Sequence, residues 1–314
     1  MTGEEAIGSG RFSTSPRADG GVVPGVGGRE DNEPSPFAAT DTASSAVDPS
    51  AVDPSAVERT DTPRRPYTLA VDAGGSALKA SVLDTDEHLV AERVRVPTPY
   101  PLPPERFIST LAELVRPLPS YDRVSVGVPG VVRQGRVLTA PQFVTEHGLG
   151  SRIDPKLVAA WTGFAIAAAL AEQFGRPTRV ANDADLQGLA AVSGQGLEFV
   201  VTFGTGVGTA LFYDGVLVPH LEFAHQPFRN GETYNEQLGQ AALRSIGPRR
   251  WRRRVMLALE NFRVLANFDR CYLGGGDSRH LKGSVGEPYV VVDNLAGIIG
   301  GVRLWDDRRS MERG

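Results

Sequence analysis

The sequence predicts an α/β fold, and three observations carry that expectation. From Tyr67 onward, short apolar strand-like runs alternate with longer runs of helical spacing. Three glycine-rich turns punctuate the strands: Asp72-Ala73-Gly74-Gly75-Ser76, Gly204-Thr205-Gly206-Val207-Gly208 and Gly274-Gly275-Gly276. Asn182 and Asp183 sit between an apolar run and a helix-like run, Leu186 to Val192. That junction is where α/β proteins commonly keep their chemistry.

At 314 residues the chain has room for two modest domains or one large one. The formal net charge is −4 and is unevenly spread. Up to Pro66 there are 6 arginines against 11 acidic residues, leaving 27 basic and 26 acidic residues beyond. A near-neutral body gives no broad electrostatic footprint for nucleic acid. A single cysteine, Cys271, excludes an internal disulfide and a multi-cysteine zinc site. No basic-then-apolar leader stands out, and no run of about 18 apolar residues occurs. A soluble, cytoplasmic protein without a membrane partner is expected.

Residues 1–66 are rich in Gly, Ser, Pro, Asp and Ala and repeat Ala-Val-Asp-Pro-Ser in tandem. Too few apolar residues are present there to offset chain entropy, so a disordered tail is expected. Strands are predicted over 68–71, 78–83 and 90–96. They form a hairpin pattern, not a strand entering a helix, which excludes a Rossmann fingerprint and a P-loop. Phe107, Ile108, Leu111 and Leu114 predict a helix over 105–115. A strand follows over 123–127, then one or two helices over 154–174, broken near Thr162-Gly163, with Gly175 as a C-terminal stop. Strands are predicted over 198–203 and 209–213, turning at Asp214-Gly215 into 216–218. Helices over 234–246 and 249–267 are parted by Gly247-Pro248. Strands over 270–273 and 289–292 and a helix over 295–304 complete the chain.

The candidate chemistry starts from Asp183, whose carboxylate can take a proton from a substrate hydroxyl that Asn182 orients. On residue type alone either is equally a cap of the following helix. The turns carrying Ser76 and Thr205 suit polyphosphate, since glycine lets backbone N–H groups approach phosphate oxygens. The turn at 274–276 suits a base and ribose. Asp72 can hold Mg2+ or simply form a turn. A carboxylate base, phosphate loops and a metal carboxylate together describe phosphoryl transfer.

The glycine-rich turns, with Gly127-Val128-Pro129-Gly130, Asn182-Asp183-Ala184 and Glu222-Phe223-Ala224-His225 in that order, resemble the ROK sugar kinases of the hexokinase–actin-like ATPase superfamily. The likeness runs from about Tyr67 to Trp305. Asn-Asp-Ala-Asp at 182–185, Thr-Phe-Gly-Thr-Gly at 202–206 and Gly-Val-Leu-Val-Pro at 215–219 resemble the short, zinc-free branch that includes polyphosphate/ATP glucokinases. The resemblance implies a two-lobed ribonuclease H-like (actin-like ATPase) fold with a cleft between lobes at 67–180 and 181–314. The last helix would pack back on the first lobe. Asp183 would be the general base toward a sugar 6-hydroxyl. Asn182, Glu222, His225 and Glu236 would bind the sugar, in a pocket shaped by Pro129 and Gly130. Gly74, Gly75, Ser76, Thr205 and Gly206 would cradle donor phosphates, with Asp72, Lys79, Gly275 and Gly276 on the same donor side.

The expected activity is Mg2+-dependent phosphorylation of a hexose, glucose by default, from ATP or inorganic polyphosphate, by a homodimer. Kinases of an amino sugar or cyclitol, and a non-catalytic sugar sensor, are the alternatives. Repressors of the family carry an N-terminal helix-turn-helix, and 1–66 shows no such pattern. The segment Gln226 to Gly239 lacks cysteine, so no zinc is expected. Gln142 stands where many relatives have Asn. The run Arg249-Arg250-Trp251-Arg252-Arg253-Arg254 reads either as a solvated helix face with Trp251 inward or as a path for polyphosphate.

Overall fold

Two five-stranded sheets frame the molecule, and two helices run between them. The computed structural model describes residues 65–148, 150–292 and 296–306. The tail expected over 1–66 lies outside them, apart from Arg65 and Pro66. Contacts group Asp61–Gly314 as one unit.

The first sheet takes β1 (Thr68–Ala73), β2 (Ala77–Leu83) and β3 (Val94–Pro97) as an antiparallel meander. Helix α1 (Pro104–Val115) buries Phe107, Leu111 and Leu114, the spacing that predicted it. Next, β4 (Arg123–Val128) pairs parallel with β1. The hairpin β5 (Val132–Arg133) and β6 (Arg136–Val137) leads to α2 (Pro155–Trp161) and α3 (Ile166–Phe174). Asp154 caps α2 by accepting from the Lys156 N–H, and Gly175 ends α3 in the left-handed region. Strand β7 (Thr178–Asn182) completes the order β3-β2-β1-β4-β7. Phe107, Phe143 and Trp161 pack together in this lobe's core, and the Trp161 indole donates to Leu102 O.

Helix α4 (Asp183–Ala191) then crosses to the second sheet. The boundary expected between 180 and 181 falls inside β7, two residues before this crossing. Strands β8 (Leu197–Phe203), β9 (Val207–Tyr213) and β10 (Val216–Leu217) form the second meander. Both turn residues Asp214 and Gly215 have positive φ, as the two-residue hairpin demands. A 3-10 turn (Phe223–His225), the small hairpin β11 (Pro227–Arg229) and β12 (Glu232–Thr233), and helices α5 (Tyr234–Leu238), α6 (Gln240–Ile246) and α7 (Pro248–Ala266) follow. Strands β13 (Arg270–Gly274) and β14 (Tyr289–Val291) give the order β10-β9-β8-β13-β14. Helix α8 (Ala296–Arg303) returns to the first sheet: Ile298 and Val302 pack with Ala70 and Leu83, and the Ser125 hydroxyl donates to Gly301 O at 2.6 Å.

Two elements differ from the sequence expectation. The third strand starts at Val94 instead of residue 90, because Leu89 and Val90 are largely exposed in an irregular connection. The single helix expected over 234–246 breaks at Gly239, which is extended (φ −66°, ψ 170°). A Cβ there would lie 3.0 Å from Thr205 O, so the glycine lets the second glycine-rich turn rest against the break. Among the described residues no single helix is long and apolar enough to cross a membrane.

Candidate active site

Asp183 is the first residue of α4, placed there by a strand that ends at Asn182. The Asn182 amide is engaged at both its oxygen and its nitrogen. Its oxygen caps α4 by accepting from the Ala184 N–H at 2.7 Å, and its nitrogen donates to Gly130 O at 2.9 Å. Gly130 has φ 106°, and a Cβ would meet Thr139 O at 2.2 Å, so glycine is required at this corner. Asn182 is buried and lines the cleft. Burial, and then the Asp72 carboxylate facing it, push the Asp183 carboxyl up from 3.8 to about 7.

The cleft holding Asp183 has a volume of about 590 Å3, and every site residue expected from sequence lines it. Beside the first glycine-rich turn, Lys79 Nζ stands 2.8 Å from Asp72 Oδ2, directly across the β1–β2 pair. The turn between them is braced by two hydroxyls: Thr98 donates to Gly74 O at 2.7 Å and Tyr100 to Gly75 O at 2.8 Å. Gly75 and Ser76 line the cleft with Lys79. On the opposite wall, Gly204, Thr205 and Gly206 form the β8–β9 turn, closed by Gly204 N–H donating to Gly206 O at 3.0 Å. Asn235 accepts from the Val207 N–H at 2.8 Å and fixes that turn. Gly275, at φ 80°, sits so close to Phe203 that a Cβ would lie 2.3 Å from its carbonyl oxygen. Gly276 continues this wall.

At the other end, Glu222 and His225 face each other at 3.6 Å, and Pro129 and Gly130 close the floor. Behind them lies a buried pair that residue spacing did not reveal. His220 Nδ1 is 2.9 Å from Asp185 Oδ1, and both side chains are nearly inaccessible. His220 Nε2 faces Glu222 Oε1 at 3.6 Å without a hydrogen-bond partner. Burial alone would lower this imidazole, but the two carboxylates win and hold it up at about 10. It is therefore cationic at neutral pH. Burial works to raise Glu222, yet His220 and His225 keep its carboxyl below the usual value. The signal available in the sequence was Asp185, two residues after Asp183 on the same helix turn.

Two further sequence features have defined places. Glu236 lines the cleft, but its carboxylate is engaged in a capping box, accepting from the Thr233 N–H and hydroxyl at 2.8 Å each. The arginines of 249–254 do not line the cleft: Trp251 is buried with its indole donating to Leu238 O, and Arg252 reaches Ser284. The solvated-face reading of that run describes its geometry.

Asp72 fits a magnesium ligand. Mg2+ takes one or two carboxylates and completes its shell with water and phosphate oxygens, and Asp72 sits beside the first glycine-rich turn. Among the described residues no group of three or more His, Cys, Asp or Glu is placed to hold a metal.

Two α/β lobes with matching strand order, a glycine-rich turn from each and a carboxylate at their junction define a cleft ATPase fold of the actin-like kind. The ROK family model matches residues 68–219. A polyphosphate glucokinase from Mycobacterium leprae is 30% identical over 287 residues, covering 84% of this chain and 82% of that protein. The chain belongs to the ROK family. An inorganic polyphosphate/ATP-glucomannokinase from Arthrobacter sp. strain KM superposes with a TM-score of 0.64 at 27% identity, over 76% of this chain and 97% of that one. A ROK family glucokinase from Streptomyces griseus, solved with glucose and AMPPNP, shares the fold with a TM-score of 0.60 at 19% identity, over 76% and 98% of the two chains.

Proposed function

We propose that the protein is a sugar kinase, a phosphotransferase that moves a phosphoryl group from ATP or inorganic polyphosphate to the 6-hydroxyl of a hexose, with glucose as the default acceptor. One observation carries the reading. Asp183, its carboxyl raised to about 7, lines one cleft together with Glu222, His225 and two glycine-rich turns. A base working near neutral pH is most effective with a pKa close to it. Family membership and the names of the relatives support the same conclusion.

In this reading the sugar lies against Pro129 and Gly130. Glu222 and His225 accept and donate to ring hydroxyls, and the Asn182 amide bonds a neighbouring one. Asp183 Oδ takes the proton of the 6-hydroxyl as that oxygen attacks the terminal phosphorus. Gly74 N–H donates to Ala77 O at 3.0 Å and shapes its turn, while backbone N–H groups of Gly75 and Gly206, and the hydroxyls of Ser76 and Thr205, hold the donor phosphates. Lys79 adds a positive charge, and Gly275 and Gly276 leave room for a ribose. Mg2+ held by Asp72 would neutralise phosphate charge. Closure of the lobes would exclude water, which competes with sugar as acceptor.

The test is a coupled assay of glucose, mannose, an amino sugar and a cyclitol against ATP and polyphosphate. A hexose used with kcat/KM at least about 10⁴ M⁻¹s⁻¹ would support the reading. Tight sugar binding with no phosphoryl transfer from either donor would replace it with a sensor.

A further inference from the structure

Beside Lys79, the mouth of the cleft on the first lobe carries two further cations that the transfer reaction itself does not need. Arg95 lies directly opposite Lys79 across the β2–β3 pair, and Arg93 comes just before β3 begins at Val94. Like charges placed directly opposite destabilise a sheet. Lys79 is matched by Asp72. Arg93 and Arg95 are both exposed, and neither has a carboxylate partner among the described residues. These two arginines, with Lys79, line a side pocket of about 360 Å3 closed opposite by Gly297 and Ile298 of α8. Asp72, Lys79, Arg95 and Gln187 belong to both this pocket and the main cleft, so the two are continuous.

We infer that this pocket holds the tail of an inorganic polyphosphate whose terminal phosphoryl group is being transferred. The proposal rests on the sugar-kinase reading and adds where the donor's surplus charge goes. A nucleoside triphosphate ends in a ribose and an apolar base, and the room for them is across the cleft, beside Gly275 and Gly276 of the second lobe. It would leave the first-lobe cations bare. A linear polyphosphate keeps its charge for its whole length and needs cations beyond the transfer point. Lys79, Arg95 and Arg93 supply them around one pocket, the first two about 5 Å apart across one strand pair. The planar guanidinium suits phosphate oxygens in particular. The arginines of α7, the other candidate path, do not line the cleft.

The experiment compares wild type with Arg93→Gln/Arg95→Gln, using ATP, tripolyphosphate and long-chain polyphosphate as donors to glucose. The expected result is a rise of about tenfold in KM for the long chain, with less than about twofold change for ATP and tripolyphosphate. The salt dependence of the long-chain reaction should also weaken. Equal changes with all donors, or none with any, overturn the inference. Arg252→Gln/Arg253→Gln should leave long-chain kinetics unaltered, and a rise there instead would move the path to α7. A wild type that uses ATP and neither uses nor binds polyphosphate overturns the inference and leaves the kinase reading standing. Calorimetry of long-chain polyphosphate on Asp183→Asn decides the case in which no donor works. Affinity lost on adding Arg93→Gln/Arg95→Gln upholds the pocket although the kinase reading has failed, and affinity unchanged overturns it.

Discussion

The two lobes are built on one plan and furnished differently. Each sheet is an antiparallel three-stranded meander followed by two parallel strands, in the orders β3-β2-β1-β4-β7 and β10-β9-β8-β13-β14. Each plan ends in a helix, α4 or α8, running between the sheets. Matching positions near the meander turns hold Asp72 opposite Lys79 in the first lobe and Thr202 opposite Gly208 in the second. The first lobe therefore brings a charged pair to the cleft, and the second brings a hydroxyl and a glycine. Gly208 has its own reason: a Cβ would lie 2.8 Å from Ala184 Cβ, where α4 begins. The lesson is that a repeated scaffold fixes where phosphate can lie, while charge is placed where one copy diverges from the other.

The largest effect expected from this asymmetry is at Asp183. Asp183→Asn should lower kcat by about 10³ while changing sugar affinity less than about threefold, measured by steady-state kinetics and calorimetry. In wild type, kcat/KM should rise with pH through about 7 and then level, since the base must be ionised. The rising limb should vanish in the variant. Stability carries the opposite sign. A carboxyl raised from 3.8 to about 7 makes the folded state lose stability as pH rises across that window, by at most about 4 kcal/mol. Asp183→Asn should therefore raise Tm at pH 8 relative to wild type and leave it nearly unchanged at pH 3. If Asp72→Asn abolished turnover as completely while Asp183→Asn did not, the assignment of base to the β7–α4 junction would be lost.

A smaller effect tests the seam between the lobes. A Cβ on Gly300 of α8 would fall 1.7 Å from Leu186 O of α4. Gly300→Ala should cost about 3 kcal/mol in denaturant unfolding, as overpacking of a close contact does. Gly163, with open space around it, is the control in the same assay, with any loss at Gly163→Ala confined to its positive φ.

Next in size is His220. His220→Asn removes the cation behind Glu222 and leaves Asp185 short of its partner. KM for sugar should rise about tenfold, with kcat within about threefold, if His220 acts by holding Glu222 ionised. The folded imidazole is raised from 6.5 to about 10, so its stabilisation is full below pH 6.5 and fades as pH climbs through about 10. The stability gap between wild type and variant should close over that window. Charged or titratable neighbours entering the balance are Asp183 and Asp185 of α4 and Glu222 and His225. A fall in kcat at constant KM would place His220 with the base instead.

Sequence periodicity reached most of the scaffold because its core strands are short apolar runs bounded by glycine, and α1 and α7 have one apolar face each. It missed the break at Gly239, since nothing local to 234–246 announces that the Thr205 turn will press on it. The cleft lining was legible because each of its loops is glycine-rich for a steric reason that survives in sequence, as at Gly130 and Gly275. The Asp185–His220 pair was not, because its members are 35 residues apart and meet through the crossing of α4 toward the second sheet. Likewise Lys79 and Arg95 become neighbours through strand register, which the sequence left open at the start of β3.

The smallest expected effect separates two roles for Glu236. Its carboxylate is already held by the Thr233 N–H and hydroxyl in the capping box of α5. Those bonds, with the backbone donor first, keep its carboxyl below the usual value although the side chain is fully open to solvent. Glu236→Gln keeps the shape and the acceptor and removes the charge. As a cap alone, the variant should shift Tm by a degree or two and leave sugar KM within about twofold. A tenfold rise in KM at unchanged Tm would show that the carboxylate leaves Thr233 to meet a sugar hydroxyl. The second lobe would then contribute two acids to the sugar end, Glu222 and Glu236, where its glycine-rich turn contributes none to the phosphates.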